Sequence, residues 1–122
     1  MDIQAIIFGR DAVSNNERNK ELFGIDENVK KTLFKLQQRG YKLAAIEPKG
    51  NEKNACEADV LLSTAKTLGV PPHECAVVED ATTGIDAAKS NGMTAIGIGK
   101  AKNYIFADMC IREISELLDI FA

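Results

Sequence analysis

At 122 residues, 45% of them hydrophobic and 27% charged, the chain holds enough apolar material for one globular domain over residues 1–122. A formal net charge of -3 and a pI near 5.2 leave no basic footprint for nucleic acid or an anionic membrane, so neither is expected as a partner. No basic-then-apolar leader precedes the first apolar run and no run approaches bilayer length, which points to a cytoplasmic protein.

Residues 3–8 form an apolar run, ending in Ile6, Ile7 and Phe8, that breaks at Gly9 into a short polar loop, as buried parallel strands do. A helix over 26–39 follows, with Asp26 as its cap, Val29, Leu33, Phe34 and Leu36 on one face, Lys30, Lys31, Lys35 and Gln37 on the other, and Gly40 as its stop. The spacing then predicts a strand over 41–46, a short polar loop over 47–56, and a helix from about 57 to 68 carrying Val60, Leu61, Leu62, Ala65 and Leu68. The strand over 75–80 ends in an acid pair, Glu79 and Asp80. A helix with Thr82 and Thr83 near its start and Gly92 at its exit comes next. The remaining elements are a strand over 94–98, a Gly-Lys loop, a short strand over 107–111 and a helix over 113–121. No repeat, low-complexity stretch or linker interrupts the alternation. It predicts an α/β fold of three layers, Rossmann-like, with a parallel sheet of about five strands in the order 2-1-3-4-5 and helices on both faces.

The three cysteines, Cys56, Cys75 and Cys110, are an odd number without close pairing and read as reduced thiols rather than a disulfide frame or a zinc site. Cys75 and Cys110 are expected in the core. Cys56 is either a plain helix-start residue, the favoured reading, or a reactive thiol facing the crevice. His73, after Pro71 and Pro72, is expected to face solvent.

An open sheet of this kind places its ligand crevice at the carboxyl ends of its strands, here between Gly9 and Glu79. Two carboxylates at a strand end, beside a helix whose free N–H groups face the same crevice, suit a cation and a phosphate. Lys49, Thr82 and Thr83 are candidate phosphate-binding residues, and Lys100 is a further rim lysine. Solvated loop lysines are the plain alternative.

The stretch from Leu68-Gly69-Val70-Pro71-Pro72-His73-Glu74-Cys75 through Val78-Glu79-Asp80, Gly84-Ile85, Ala87-Ala88-Lys89 and Gly92-Met93 to Ile96-Gly97-Ile98-Gly99 resembles the haloacid dehalogenase (HAD) superfamily, in its β-phosphoglucomutase-like branch of phosphatases and mutases. Ile6-Ile7-Phe8-Gly9-Arg10-Asp11-Ala12-Val13 is similar to that family's apolar strand followed by Asp-x-Asp-Gly-Val, with Gly9 at the nucleophile's position and Ala12 at the glycine's. The resemblance implies a carboxylate at the first position that attacks phosphorus and holds Mg²⁺, and glycine does neither. It implies that Asp11 is the general acid/base and lends its carbonyl to the metal, and that Glu79 and Asp80 supply or support the rest of the coordination. Mg²⁺ would then lean on Asp80, the Asp11 carbonyl and waters, a weakened site for a reluctantly dehydrated ion.

Further departures run the same way. Glu47 stands where the family carries a phosphate-binding Ser or Thr, and an acid there repels phosphate. Ala55 takes the place of the family's lysine, with Lys49 or Lys53 as substitutes from the loop. The intervals 14–25 and 47–56 are too short for the helical cap and the extra helix and edge strand usual there, so the chain reads as a capless, degenerate member. Arg10 either braces the turn or pairs with Glu79 or Asp80 in place of a metal's charge. Glu79 and Asp80 themselves are either inherited scaffold or a residual metal site, and Asp11 likewise a turn brace or a base.

Three functions compete. The favoured one is a domain silent toward phosphoesters that serves as a binding or interaction module, for a small anion, a phosphorylated molecule or a protein. The second is a weak or altered Mg²⁺-dependent phosphohydrolase using Asp11 with Glu79 and Asp80. The third, a receiver-like signalling module, lacks the acidic pair on the first strand and the central acceptor aspartate. Without the family's outer strand, the strand 42–46 lies at a sheet margin and invites a homodimer or a protein partner.

Overall fold

In the computed structural model, which describes residues 2–9, 12, 27–46 and 57–122, five strands form one parallel sheet. They are β1 (Ala5–Phe8), β2 (Lys42–Ala45), β3 (Cys75–Glu79), β4 (Thr94–Gly97) and β5 (Met109–Cys110), in the spatial order β2-β1-β3-β4-β5. This is the order expected from the alternation. Phe8 is in register with Ala45 on one side and Val78 on the other, and Glu79 with Gly97, so the strand ends around Gly9 and Glu79 open at one edge of the sheet.

β1 and β3 are buried along their whole length, which is why they read as continuous apolar runs. Alternate side chains divide between the two faces. Ile6, Phe8, Ala76, Val78 and Ile96 point to the side covered by α1 (Glu27–Gln38) and α4 (Leu117–Ile120), through Leu36, Leu117 and Phe121. Ala5, Ile7, Cys75, Val77 and Ala95 point to the side covered by α2 (Glu57–Leu68) and α3 (Thr82–Ser90), through Leu61, Ala65, Ile85 and Ala88. Gly69 and Gly92, at φ 73° and 76°, make the left-handed exits that end α2 and α3, and the next N–H in each case reaches back five residues, Val70 to Ala65 O (3.1 Å) and Met93 to Ala88 O (3.0 Å).

Polar bonds fix the helices to one another. Asn91 Nδ2 donates to Ala58 O at 2.7 Å, joining the end of α3 to the start of α2. Arg39 donates to the carbonyls of Leu118 and Phe121, both at 2.8 Å, and Tyr41 stacks on Phe121 at 5.4 Å between ring centroids, so the last helix is docked onto the α1–β2 corner. Asp108 crosses from β5 to α3 and β4: it accepts from Lys89 Nζ at 2.9 Å and from the Ala95 N–H at 2.8 Å. Burial tends to raise the Asp108 carboxyl, but the Ala95 N–H and the Lys89 charge outweigh that and hold it below the usual range.

Several local expectations are corrected. Phe34 is 60% exposed; the buried stripe of α1 is instead Thr32 and Leu36 with Val29 and Leu33 half-buried, at the spacing i, i+3, i+4, i+7. Thr32 is satisfied there by donating to Asn28 O at 2.9 Å. Cys110 is exposed, not core, because β5 is a two-residue edge strand with Met109 turned inward. The final helix is short, a 3-10 turn over Ile114–Glu116 followed by α4. Cys75 is buried and His73 exposed, as expected. Asp26 lies outside the described residues. Among the described residues no helix is long and apolar enough to cross a membrane.

Candidate functional site

The crevice floor is made where β1 and β3 end side by side. The Gly9 N–H donates to Val78 O at 2.7 Å, and the chain then turns so that the Ala12 N–H reaches Gly9 O at 3.2 Å. Ala12 is buried and joins the α1-side core. On the neighbouring strand the backbone continues its ladder through Ile98 N–H to Glu79 O at 3.0 Å.

The Glu79 side chain curls back rather than out. Its Oε1 accepts from the N–H groups of Asp80 (3.1 Å) and Ala81 (3.2 Å), and the residue is only 8% exposed. Those donors lie just before α3, whose N-cap is Ala81, a residue with no side chain able to cap, and no side-chain cap bond is made there. Burial pushes the Glu79 carboxyl up to about 7 from an ordinary 4.5; the Ala81 and Asp80 N–H bonds pull it back, and the negative charges of Asp80 and Glu57 add to the rise. The carboxyl lies between two glycines. A Cβ built on Gly9 would fall within 2.6 Å of Oε1 and nearer still to Oε2, and one built on Gly84 would overlap Cγ, Cδ and Oε2.

Asp80 is half-buried beside it. Thr82 and Thr83 are both exposed, and the Thr83 hydroxyl donates to Glu57 Oε1 at 3.3 Å, linking the first turns of α3 and α2. Glu57 and Gly84 are the residues that sequence reasoning missed. A glycine inside a helix was the available signal for the second, while Glu57 reads as an ordinary first-turn acid. Lys100 is exposed. Arg10, Asp11, Glu47, Lys49, Lys53, Ala55 and Cys56 lie outside the described residues.

Glu79 and Asp80 are the described acids at the end of β3. Among the described residues no three His, Cys, Asp or Glu side chains stand together as a metal set, and Glu79 Oε1 accepts from two backbone N–H groups.

Comparison with known proteins agrees with the fold. No family model matches the chain. The β-phosphoglucomutase of Bacillus subtilis (strain 168) is 39% identical over 74 residues, which are 61% of this chain and 33% of that protein. A HAD phosphatase structure from Thermococcus onnurineus superposes with a TM-score of 0.69 at 29% identity, covering 85% of this chain and 61% of that one. A haloacid dehalogenase-like family hydrolase from Streptococcus pneumoniae, SP0104, shares the fold with a TM-score of 0.76 at 13% identity over 99% of both chains. The chain thus spans about a third of the curated mutase it matches.

Proposed function

We propose that this chain, a β-phosphoglucomutase-like member of the haloacid dehalogenase superfamily, has given up phosphoryl transfer and works as a binding or interaction module. The observation that carries the reading is the end of β1: Gly9 has no side chain to attack phosphorus or to hold a cation, and among the described residues the carboxylate beside it, Glu79, is folded back onto backbone N–H groups. The loss of the phosphate-binding hydroxyl at Glu47 and of the lysine at Ala55 supports it from the sequence. Any Mg²⁺ held by Asp80 and Asp11 is weakly bound on this reading, and the ligand is a small anion or a phosphorylated molecule at the rim, or a protein.

β2 forms one margin of the described sheet, with Lys42 and Ala45 exposed, and the proposal places a second copy or a protein partner along 42–46. The test is a phosphomonoester assay with p-nitrophenyl phosphate and Mg²⁺, paired with isothermal titration of Mg²⁺ into the protein and an Asp80→Asn variant. No turnover above buffer and no Asp80-dependent heat are expected. Turnover that disappears in Asp11→Asn or Asp80→Asn would overturn the proposal and establish a slow phosphohydrolase instead. Light scattering reports on the edge: a strictly monomeric species counts against a homodimer.

A further inference from the structure

From the geometry we infer that Glu79 is an internal plug, and that Gly9 and Gly84 together form the notch that accepts it. The glutamate's carboxyl occupies the space where a side chain at residue 9 would begin, so the floor of the crevice is filled by the protein itself and closed to ligands. Three observations point there. The three atoms nearest to a Cβ on Gly9 all belong to the Glu79 carboxyl, and those nearest to a Cβ on Gly84 are Cγ, Cδ and Oε2 of the same side chain. Neither glycine has a positive φ, so the backbone at both positions suits an ordinary residue and only space calls for glycine. The carboxyl is anchored in the notch by the N–H groups of Asp80 and Ala81, which a displaced side chain would leave without that acceptor.

Gly84 sharpens the argument, because it stands inside α3, where alanine is the better residue by helix propensity. A first helical turn that keeps a glycine at ordinary φ is making room for something, and that something is the glutamate. The same geometry means that an aspartate restored at position 9 must first expel Glu79 from both backbone bonds. Two residues on different elements are thereby coupled, and neither can be changed without regard to the other.

The inference rests on the reading of the crevice as silent and deepens it, but its test is a folding measurement, so turnover in the assay above and failure here are distinct results. Gly9→Ala and Gly84→Ala are each introduced into the wild-type, Glu79→Gln and Glu79→Ala backgrounds, and urea unfolding gives the folding constant of each protein. In the wild-type and Glu79→Gln backgrounds, where the notch stays filled, each alanine should lower the folding constant roughly tenfold or more. In the Glu79→Ala background the sign should reverse, with Gly84→Ala raising the constant roughly fivefold, as helix propensity alone dictates. Should Glu79→Ala fail to fold, Glu79→Ser replaces it, since its hydroxyl offers an acceptor near the same N–H groups without filling the notch. The same loss with and without the glutamate, or no loss in the wild-type background, overturns the plug.

Discussion

Replacing Glu79 by glutamine should change how stability depends on pH, and the size of the change follows from where the carboxyl sits. Burial between Gly9, Gly84 and the start of α3 raises its pKa from an ordinary 4.5 to about 7, so the folded state holds the proton more tightly than the unfolded chain. The stabilisation is fully present below pH 4.5, falls as the unfolded chain ionises, and is lost once the pH has risen through 7. For a single group with these two values, the linkage relation gives a loss of about 2.5 kcal/mol between pH 5 and pH 8, a large fraction of a small domain's stability of roughly 5–15 kcal/mol. Glutamine keeps the shape and the acceptor for Asp80 and Ala81 but cannot ionise. Urea unfolding at half-unit steps from pH 5 to 8 should therefore show the wild type weakening relative to Glu79→Gln, with the two nearly equal at the acid end and the variant clearly more stable at pH 8. Asp108 and Glu116, whose carboxyls are held below the usual range, contribute stability that is lost only as pH falls below this window, and equally in both proteins. Parallel stability curves from pH 5 to 8 would refute the burial argument for Glu79.

Three further outcomes are expected. Arg39→Ala removes the donor to Leu118 O and Phe121 O and should cost about 1–3 kcal/mol, with faster amide exchange at Leu117 and Phe121 but not at Ile7 or Val77; exchange measured by NMR separates local release from global loss. Gly97→Ala should be costly for a different reason from Gly9→Ala, because the added Cβ meets the Ala101 carbonyl, backbone that cannot swing aside; a loss of about 1–3 kcal/mol in every Glu79 background is expected from thermal unfolding. Phe34→Ser should stay within about 0.5 kcal/mol of wild type while Leu36→Ala costs about 2–5 kcal/mol, and comparable losses for the two would mean that α1 packs on another face.

The order of the sheet was legible because the signals that set it are local and repeated. Apolar runs such as Ile6-Ile7-Phe8 and Ala76-Val77-Val78 alternate with helices whose exits are marked by Gly69 and Gly92, and right-handed crossovers leave few arrangements. What was not legible depended on which side chains share a face or a notch. Phe34 looks apolar enough for the core, yet the helical period assigns its angle to solvent and gives the inward place to Thr32, whose hydroxyl is quenched by Asn28 O. Cys110 sits in an apolar run, but its strand is a short edge, and that is a property of the sheet and not of the run. The direction of Glu79 depends on room left by Gly9 and Gly84 together, and neither glycine betrays that purpose alone. Thr82 and Thr83 stand near the start of α3 as read, but its N-cap is Ala81, which makes no side-chain cap bond.

The two faces of the sheet differ in grain. Among the described residues, two of the thirteen buried on the α1 side are alanine, and six of the thirteen on the α2–α3 side are. Small side chains at Ala5, Ala87, Ala88 and Ala95 line the face that α3 covers, whereas Ile6, Phe8, Ile96 and Leu117 fill the face under α1 and α4 with bulk. A library that randomised both cores with the same set of aliphatic residues would therefore return unequal yields. Exchange among Ile, Leu, Val and Met on the bulky side conserves volume and keeps many folded members, while any enlargement on the alanine side must lift a helix from its sheet. Redesign of this chain has most latitude on the face away from α3.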